Sequence, residues 1–195
     1  METHPKNGTG TDPLFKVYHE KIVLDYERLR KVVAGFQALG RKVVLTIGSW
    51  DGLHIGQVRY IVRAKAAGDL LVVAFDTDRA VKAYKSPHRP IVPEAERAEM
   101  ITYLKEVDFV TAIDDVDEDG HWQYGLLKTV KPDVFIAVVD SYPESQLNDI
   151  RSFGVEVIVL PRQAEDSTSA AIGRIIKAHL LPALDEVIGH VAKKR

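Results

Sequence analysis

Three groups of residues in this chain have the types and spacing for phosphate chemistry. In the first, the apolar run Val43-Val44-Leu45-Thr46-Ile47 breaks on Gly48, passes Ser49, Trp50 and Asp51, and reaches His54, Gly56 and Gln57. An apolar run that ends on glycine before a helical pattern is a buried parallel strand feeding a loop, whose N–H groups and following helix N-terminus suit an anion. His54 then sits beside that anion. In the second group, Arg162 lies five residues before Ser167-Thr168-Ser169, after an apolar run at 155–160 and at the start of the last long helical pattern. Hydroxyls and unsatisfied N–H groups at a helix start bind phosphate, and the same hydroxyls also serve as ordinary caps. The third is the segment 85–97, in which Lys85 and Arg89 face either a phosphate or water, and Arg97 is expected to pair with a carboxylate on its own helix.

The elements that must position these groups follow from periodicity. Strand-like runs occur at 43–47, 70–75, 107–113, 133–139 and 155–160, with helical spacing between them at about 56–67, 94–105, 121–130 and 143–152. An amphipathic helix is expected over 26–39, with Asp25 as its N-cap and Gly40 as its stop. From Ser167 to Lys193 the pattern is helical in two pieces, with Pro182 as the interruption. Alternating β and α elements imply parallel strands joined by right-handed crossovers, with helices on both faces. Ligands in such sheets lie at the carboxyl ends of the strands, where the strand order reverses.

The bulk properties exclude several classes. With 195 residues, 46% of them hydrophobic, one domain with modest extensions is expected. A formal net charge of -2 carries no footprint for nucleic acid or an anionic membrane. There is no cysteine, which excludes disulfides and thiolate metal sites. The start of the chain is polar, without the apolar core of a signal peptide, and no run reaches membrane length, so the expectation is a cytoplasmic protein. Asp114, Asp115, Asp117, Glu118 and Asp119 read as a solvated loop, and His88, His121, His179 and His190 have no metal-ligand pattern. Asp140 either touches a ligand hydroxyl or caps the helix that Pro143 begins. Neither a Gly-x-x-x-x-Gly-Lys loop nor a Gly-x-Gly-x-x-Gly turn is present.

In these segments the chain resembles the cytidylyltransferase-like nucleotidyltransferases, of the glycerol-3-phosphate cytidylyltransferase and ADP-heptose synthase type. Gly48, Trp50, Asp51, His54 and Gly56 match the strand-end motif that closes on His-x-Gly-His, with Gln57 standing at the second histidine. Arg162, Ser167, Thr168 and Ser169 match the signature Arg-Thr-Glu-Gly-Ile-Ser-Thr-Ser, and Lys85, Arg89 and Arg97 match the family's Lys…Arg-Pro…Arg segment. At the fourth strand Asp140 is retained, while Ala137 and Val138 replace a lysine and a glycine. The resemblance implies a Rossmann-like three-layer α/β/α fold with a five-stranded parallel sheet, an N-terminal helix and a C-terminal helical extension. Its implied segments are a disordered tail at 1–15, a helical segment at 16–40, the transferase-like domain at 41–181 and the extension at 182–195. It also implies transfer of a nucleotidyl group from CTP or ATP to a phosphorylated sugar, polyol or amino alcohol, with release of pyrophosphate, by a homodimer. Catalytic roles fall on His54, Gln57 and Lys85; nucleotide and phosphate contacts on Gly48, Ser49, Trp50, Asp51, Gly56, Arg162, Ser167, Thr168 and Ser169; acceptor contacts on Arg89 and Asp140. Mg2+ is implied, held mainly by the triphosphate, with no protein ligand. The alternative is a nucleotide-binding relative with weak or no transferase activity, because Gln57 and Ala137 replace a histidine and a lysine.

Overall fold

Five parallel strands form one sheet in the order β3-β2-β1-β4-β5, in a computed structural model that describes residues 13–119, 121–165 and 167–185. The strands are β1 (Val43–Gly48), β2 (Leu70–Asp76), β3 (Phe109–Ile113), β4 (Val134–Val138) and β5 (Glu156–Leu160). All five lie where the apolar runs predict. The chain starts at β1, moves outward through β2 and β3, then returns to the other side of β1 for β4 and β5. The order therefore reverses between β1 and β4, where Val44 pairs with Val134 and Thr46 with Ile136.

Helices cover both faces, which is why the strands are apolar throughout. Val43 and Leu45 of β1 face one core with Leu126, Leu127 and Phe135, while Val44 faces a second core with Ile61 and Ile101. On the first face lie α2 (Tyr26–Ala38), α6 (Gly125–Val130) and α7 (Glu144–Ser152); on the second lie α3 (Ile55–Lys65) and α5 (Glu94–Thr102). Asp25 caps α2 as expected, its Oδ1 accepting from the N–H groups of Glu27 (2.8 Å) and Arg28 (3.0 Å), and Gly40 follows the helix at φ +73°.

Several expectations need correction. A helix α1 (Pro13–His19) begins inside the stretch expected to be an unstructured tail, of which residues 1–12 lie outside the described residues. A further helix, α4 (Asp78–Tyr84), follows β2 and is too short for a periodic signal; Thr77 caps it through Ala80 N–H at 3.2 Å. The helix expected over 121–130 starts only at Gly125, because Trp122 pairs with Val116 in a β-bridge and Tyr124 takes a left-handed conformation. Pro182 does not interrupt the last helix. After α8 (Thr168–Ile175) the backbone widens to a π turn over Ile176–Leu180 and continues helically to residue 185. The widened turn holds Ala178, the residue whose carbonyl the proline ring would otherwise strike. The expected extension from 186 onward lies outside the described residues. No helix among the described residues is long and apolar enough to cross a membrane.

Candidate active site

The β1–α3 loop is built by residues that turn away from any ligand. Gly48 leaves room for the Trp50 ring, which a side chain at 48 would meet at 3.2 Å. Trp50 is 3% exposed and donates from Nε1 to the Ala74 carbonyl at 2.8 Å, so its indole anchors the loop and forms part of the cavity floor. Asp51 is buried and accepts from Arg89 Nε at 2.5 Å and from the N–H groups of Ile91 and Val92, both at 2.9 Å. Burial pushes its carboxyl up, but the two backbone donors and Arg89 outweigh that and hold it below the usual carboxylate value. A desolvated carboxylate requires such partners. Asp51 and Arg89, expected on nucleotide and acceptor, thus clamp the 89–92 segment onto the loop, and neither lines the cavity.

Two helix starts converge beside this loop. His54 is the N-cap of α3, with Nδ1 buried and without a partner. Gln57 occupies the third helical position, and its Oε1 accepts from His54 N–H at 3.2 Å, as the polar residue of a capping box does. Gly56 allows close approach of the distant segment, since a Cβ there would lie 3.1 Å from Ala164 Cβ and from the His54 ring. At α8, Ser167 Oγ accepts from Ala170 N–H at 3.1 Å, and Thr168 Oγ1 donates to the Asp51 carbonyl at 2.5 Å. Gly52 permits that last contact: it has φ +65°, and a Cβ there would come within 2.9 Å of Thr168 Cγ2. The positive ends of α3 and α8 therefore share one opening.

That opening is a cavity of about 510 Å³ at the carboxyl ends of the strands. His54, Gly56, Gln57, Arg162 and Ser167 line it on one side, with Gly48 and Ser49 at the strand end. Lys85 reaches in from the end of α4 and donates from Nζ to Ser49 Oγ at 2.6 Å; desolvation first, and Arg89 next, lower its pKa. Thr168 spends its hydroxyl on Asp51, Ser169 is exposed, and neither lines the cavity. Asp140 is exposed in a left-handed turn, where it neither lines the cavity nor caps α7, whose N-cap is Pro143 with no side-chain bond.

Residues that no motif indicated complete the site. Arg97 is fully buried and does not pair within its own helix. It donates from Nη2 to Asp78 Oδ1 (2.6 Å), from Nη1 to the carbonyls of Ser49 (2.5 Å) and Asp76 (2.8 Å), and from Nε to the carbonyl of Val92 (2.9 Å). It thereby ties the ends of β1 and β2 together. Asp76, Tyr84, Asp115, Trp122 and Tyr142 line the β2–β3 side of the cavity. Tyr84 donates to Asp76 Oδ2 at 2.5 Å, and burial pushes the Asp76 carboxyl up against the lowering effects of Tyr84, Lys85 and Arg97. Burial, then Asp76, raises the Tyr142 phenol. The aromatic spacing Trp122…Tyr124…Tyr142 was visible in the sequence, but only the fold brings Trp122 and Tyr142 to 5.9 Å.

Metal ligands are not gathered at the phosphate side. Among the described residues, the ligand-type groups that cluster are Asp117, Asp119 and His121, all exposed on the β3–α6 loop and outside the cavity. Asp117 accepts from the N–H groups of Asp119 and His121, which accounts for their proximity.

The chain is similar to known proteins along most of this framework. A family model described as cytidylyltransferase-like matches residues 45–178. The bifunctional protein HldE of Syntrophotalea carbinolica is 34% identical over 161 residues, covering 82% of this chain and 32% of that protein. HldE of Geobacter metallireducens is 32% identical over 159 residues, covering 80% and 31%. This chain thus spans about a third of the length of these curated relatives. Among solved structures, the lipopolysaccharide core biosynthesis protein from Thermoplasma volcanium matches with a TM-score of 0.53 and 28% identity, over 65% of this chain and 100% of that one. A pantoate-beta-alanine ligase from Francisella tularensis, complexed with an ATP analogue and beta-alanine, shares the fold at a TM-score of 0.54 and 14% identity, over 76% and 68%. With the strand order, the paired helix starts and a family match that runs from Leu45 to Ala178, the chain belongs to the cytidylyltransferase-like family.

Proposed function

We propose that this protein is a nucleotidyltransferase that moves a nucleotidyl group from ATP or CTP to the phosphate of a sugar, polyol or amino alcohol. An acceptor phosphate oxygen forms a bond to the α-phosphorus as the bond to the bridging oxygen breaks, and pyrophosphate leaves with that electron pair. The observation that carries this reading is the convergence of the α3 and α8 N-termini, with Lys85 and Arg162, on one cavity at the β1–β4 switch point. Such transfer needs positioning and charge stabilisation more than covalent help. The α3 and α8 starts orient the triphosphate, Arg162 meets its outer phosphates, and Lys85 bridges donor and acceptor. Mg2+, bound by the phosphate oxygens, supplies shielding of the negative charge. The names of the HldE relatives and the Thermoplasma protein favour a carbohydrate acceptor. We also take the protein to be a homodimer; α8 has no buried residue, and Ile175, Ile176, Leu180, Leu181 and Leu184 are exposed on the helix and its continuation. Light scattering would then give about twice the chain mass of 21.8 kDa.

Pyrophosphate release with ATP or CTP and a panel of sugar phosphates tests the reading. Release above background is expected for at least one pair. Background release from a protein that binds the triphosphate normally would overturn transfer and favour a second reading, nucleotide binding without turnover. One observation favours that second reading: Gln57 carries no charge, engages the His54 N–H, and has no lysine at 137 to compensate, because Ala137 is a 1% exposed core residue. Replacing Gln57→His separates the two. A roughly tenfold gain in turnover, the difference between a charged and a neutral donor, indicates an otherwise competent site. No gain indicates a deeper loss.

A further inference from the structure

Taking the transferase reading as its basis, we propose that Asp76 is a specificity-determining residue, whose carboxylate accepts hydrogen bonds from acceptor hydroxyls on the β2–β3 side of the cavity. Asp76 closes β2, beside the strand end that carries Gly48 and Ser49, and it lines the cavity. A carboxylate there has no use toward a triphosphate, which it repels. Its partner is instead the Tyr84 hydroxyl on Oδ2; Oδ1 has no partner among the described residues and is not shut off from the cavity. An open carboxylate oxygen calls for a hydrogen-bond donor.

The neighbouring groups fix what that donor belongs to. Tyr84 and Lys85 are consecutive: Tyr84 holds Asp76, while Lys85 Nζ reaches Ser49 at the phosphate side. An acceptor whose phosphate meets Lys85 therefore presents its remaining atoms to Asp76 and, beyond it, to Asp115 and the ring of Trp122. Carboxylate oxygens beside an aromatic face match a polyhydroxylated carbon skeleton, with hydroxyls toward the acids and C–H groups toward the ring. Tyr84 acts as a positioning residue by fixing the carboxylate. The β4–β5 side, with Ser141, Gln146 and Arg162, remains for the nucleoside.

Calorimetric titration of the full chain, with a non-hydrolysable ATP or CTP analogue bound, tests this without relying on turnover. The probes are glucose 1-phosphate, ethanolamine phosphate and inorganic phosphate. The wild type is expected to bind glucose 1-phosphate more tightly than either of the others. Asp76→Asn should weaken glucose 1-phosphate by about tenfold and Asp76→Ala by more, with inorganic phosphate and the nucleotide analogue changed less than twofold. Tyr84→Phe should give a smaller loss in the same sense and serves as a second variant should the Asp76 changes impair folding. Equal weakening of all probes, or no weakening of glucose 1-phosphate, would overturn the proposal. So would a wild type that binds glucose 1-phosphate no better than inorganic phosphate, or one that prefers ethanolamine phosphate, which points to an ammonium donor. Absence of pyrophosphate release would sink the transferase reading alone, since these affinities are read separately.

Discussion

The two sides of the cavity are built on opposite principles. At the β1 end, the one acid in the motif is turned under the loop and buried against Arg89, and what faces the opening is backbone N–H, His54, Ser167 and cations. At the β2–β3 end, Asp76 and Asp115 face the opening among aromatic rings. One side is shaped for a polyanion and the other for donors of hydrogen bonds. The difference also separates residues that make a motif recognisable from residues that touch a ligand: Trp50, Asp51 and Thr168 belong to the first group, whereas Gln57 serves both helix and cavity.

Arg97 joins the two sides, and its loss should have the largest effect. Its Nη1 holds the Ser49 and Asp76 carbonyls together, and the side chain is wholly buried with its charge paired to Asp78. Arg97→Ala should destabilise the fold by about 3–5 kcal/mol, read by urea unfolding, because it strands buried acceptors and a carboxylate. Arg97→Lys should recover little, since an ammonium lacks the fork that serves four acceptors. If Arg97→Ala unfolds like the wild type, the two sides are independent and the joint is elsewhere.

Lys85→Gln should come next and act on chemistry more than on stability. Replacing a charged donor at the boundary between the two sides should slow pyrophosphate release roughly ten- to hundredfold. An unchanged rate would remove Lys85 from the reaction and leave it a surface group bonded to Ser49. Gly52→Ala should be smaller again and confined to the β1 side. The left-handed backbone at φ +65° disfavours a side chain by about 1–2 kcal/mol, and the new Cβ pushes on Thr168. The ATP-dependent rise in melting temperature should shrink while glucose 1-phosphate affinity holds; equal loss of both would contradict a division between the sides.

How legible each side is in the sequence follows the same division. All five strands and most of the covering helices could be read from periodicity, because strands covered on both faces are continuous apolar runs. The β1 side was readable because it is local: glycines at 48, 52 and 56 and hydroxyls at 167 and 168 each do short-range backbone work. The β2–β3 side was not, because its residues come from β2, α4, the loop after β3 and the turn after β4, and none has a distinctive neighbour pattern. The roles assigned to Asp51, Arg89 and Asp140 failed for a related reason. Residue type indicates that a carboxylate or guanidinium needs a partner; only the fold decides that Asp51 and Arg89 find each other, and that Asp140 turns to solvent.

The smallest effect is the most direct comparison of the two acids, because their carboxyls are displaced in opposite directions. Asp51 is depressed in the folded protein, so the stability its partners contribute is fully present above the unfolded carboxyl value of about 3.9 and is lost as pH falls through the folded value. Asp76 is raised, so its folded state is favoured relative to the ionised form below about 3.9, and that advantage is lost as pH rises through its folded value. The groups around Asp76 that moderate this are Tyr84, Lys85, Arg97 and Tyr142. Urea unfolding across pH 3 to 8 should therefore find Asp51→Asn less stable than the wild type at neutral pH, with the gap closing in acid. Asp76→Asn should coincide with the wild type in acid and become the more stable protein as pH rises. A carboxylate that destabilises the empty fold where a neutral amide would not is what a ligand-facing residue looks like. If Asp76→Asn is instead the less stable protein at pH 8, its ionised form is satisfied within the fold, and the β2–β3 side is a structural counterpart of the Asp51 clamp.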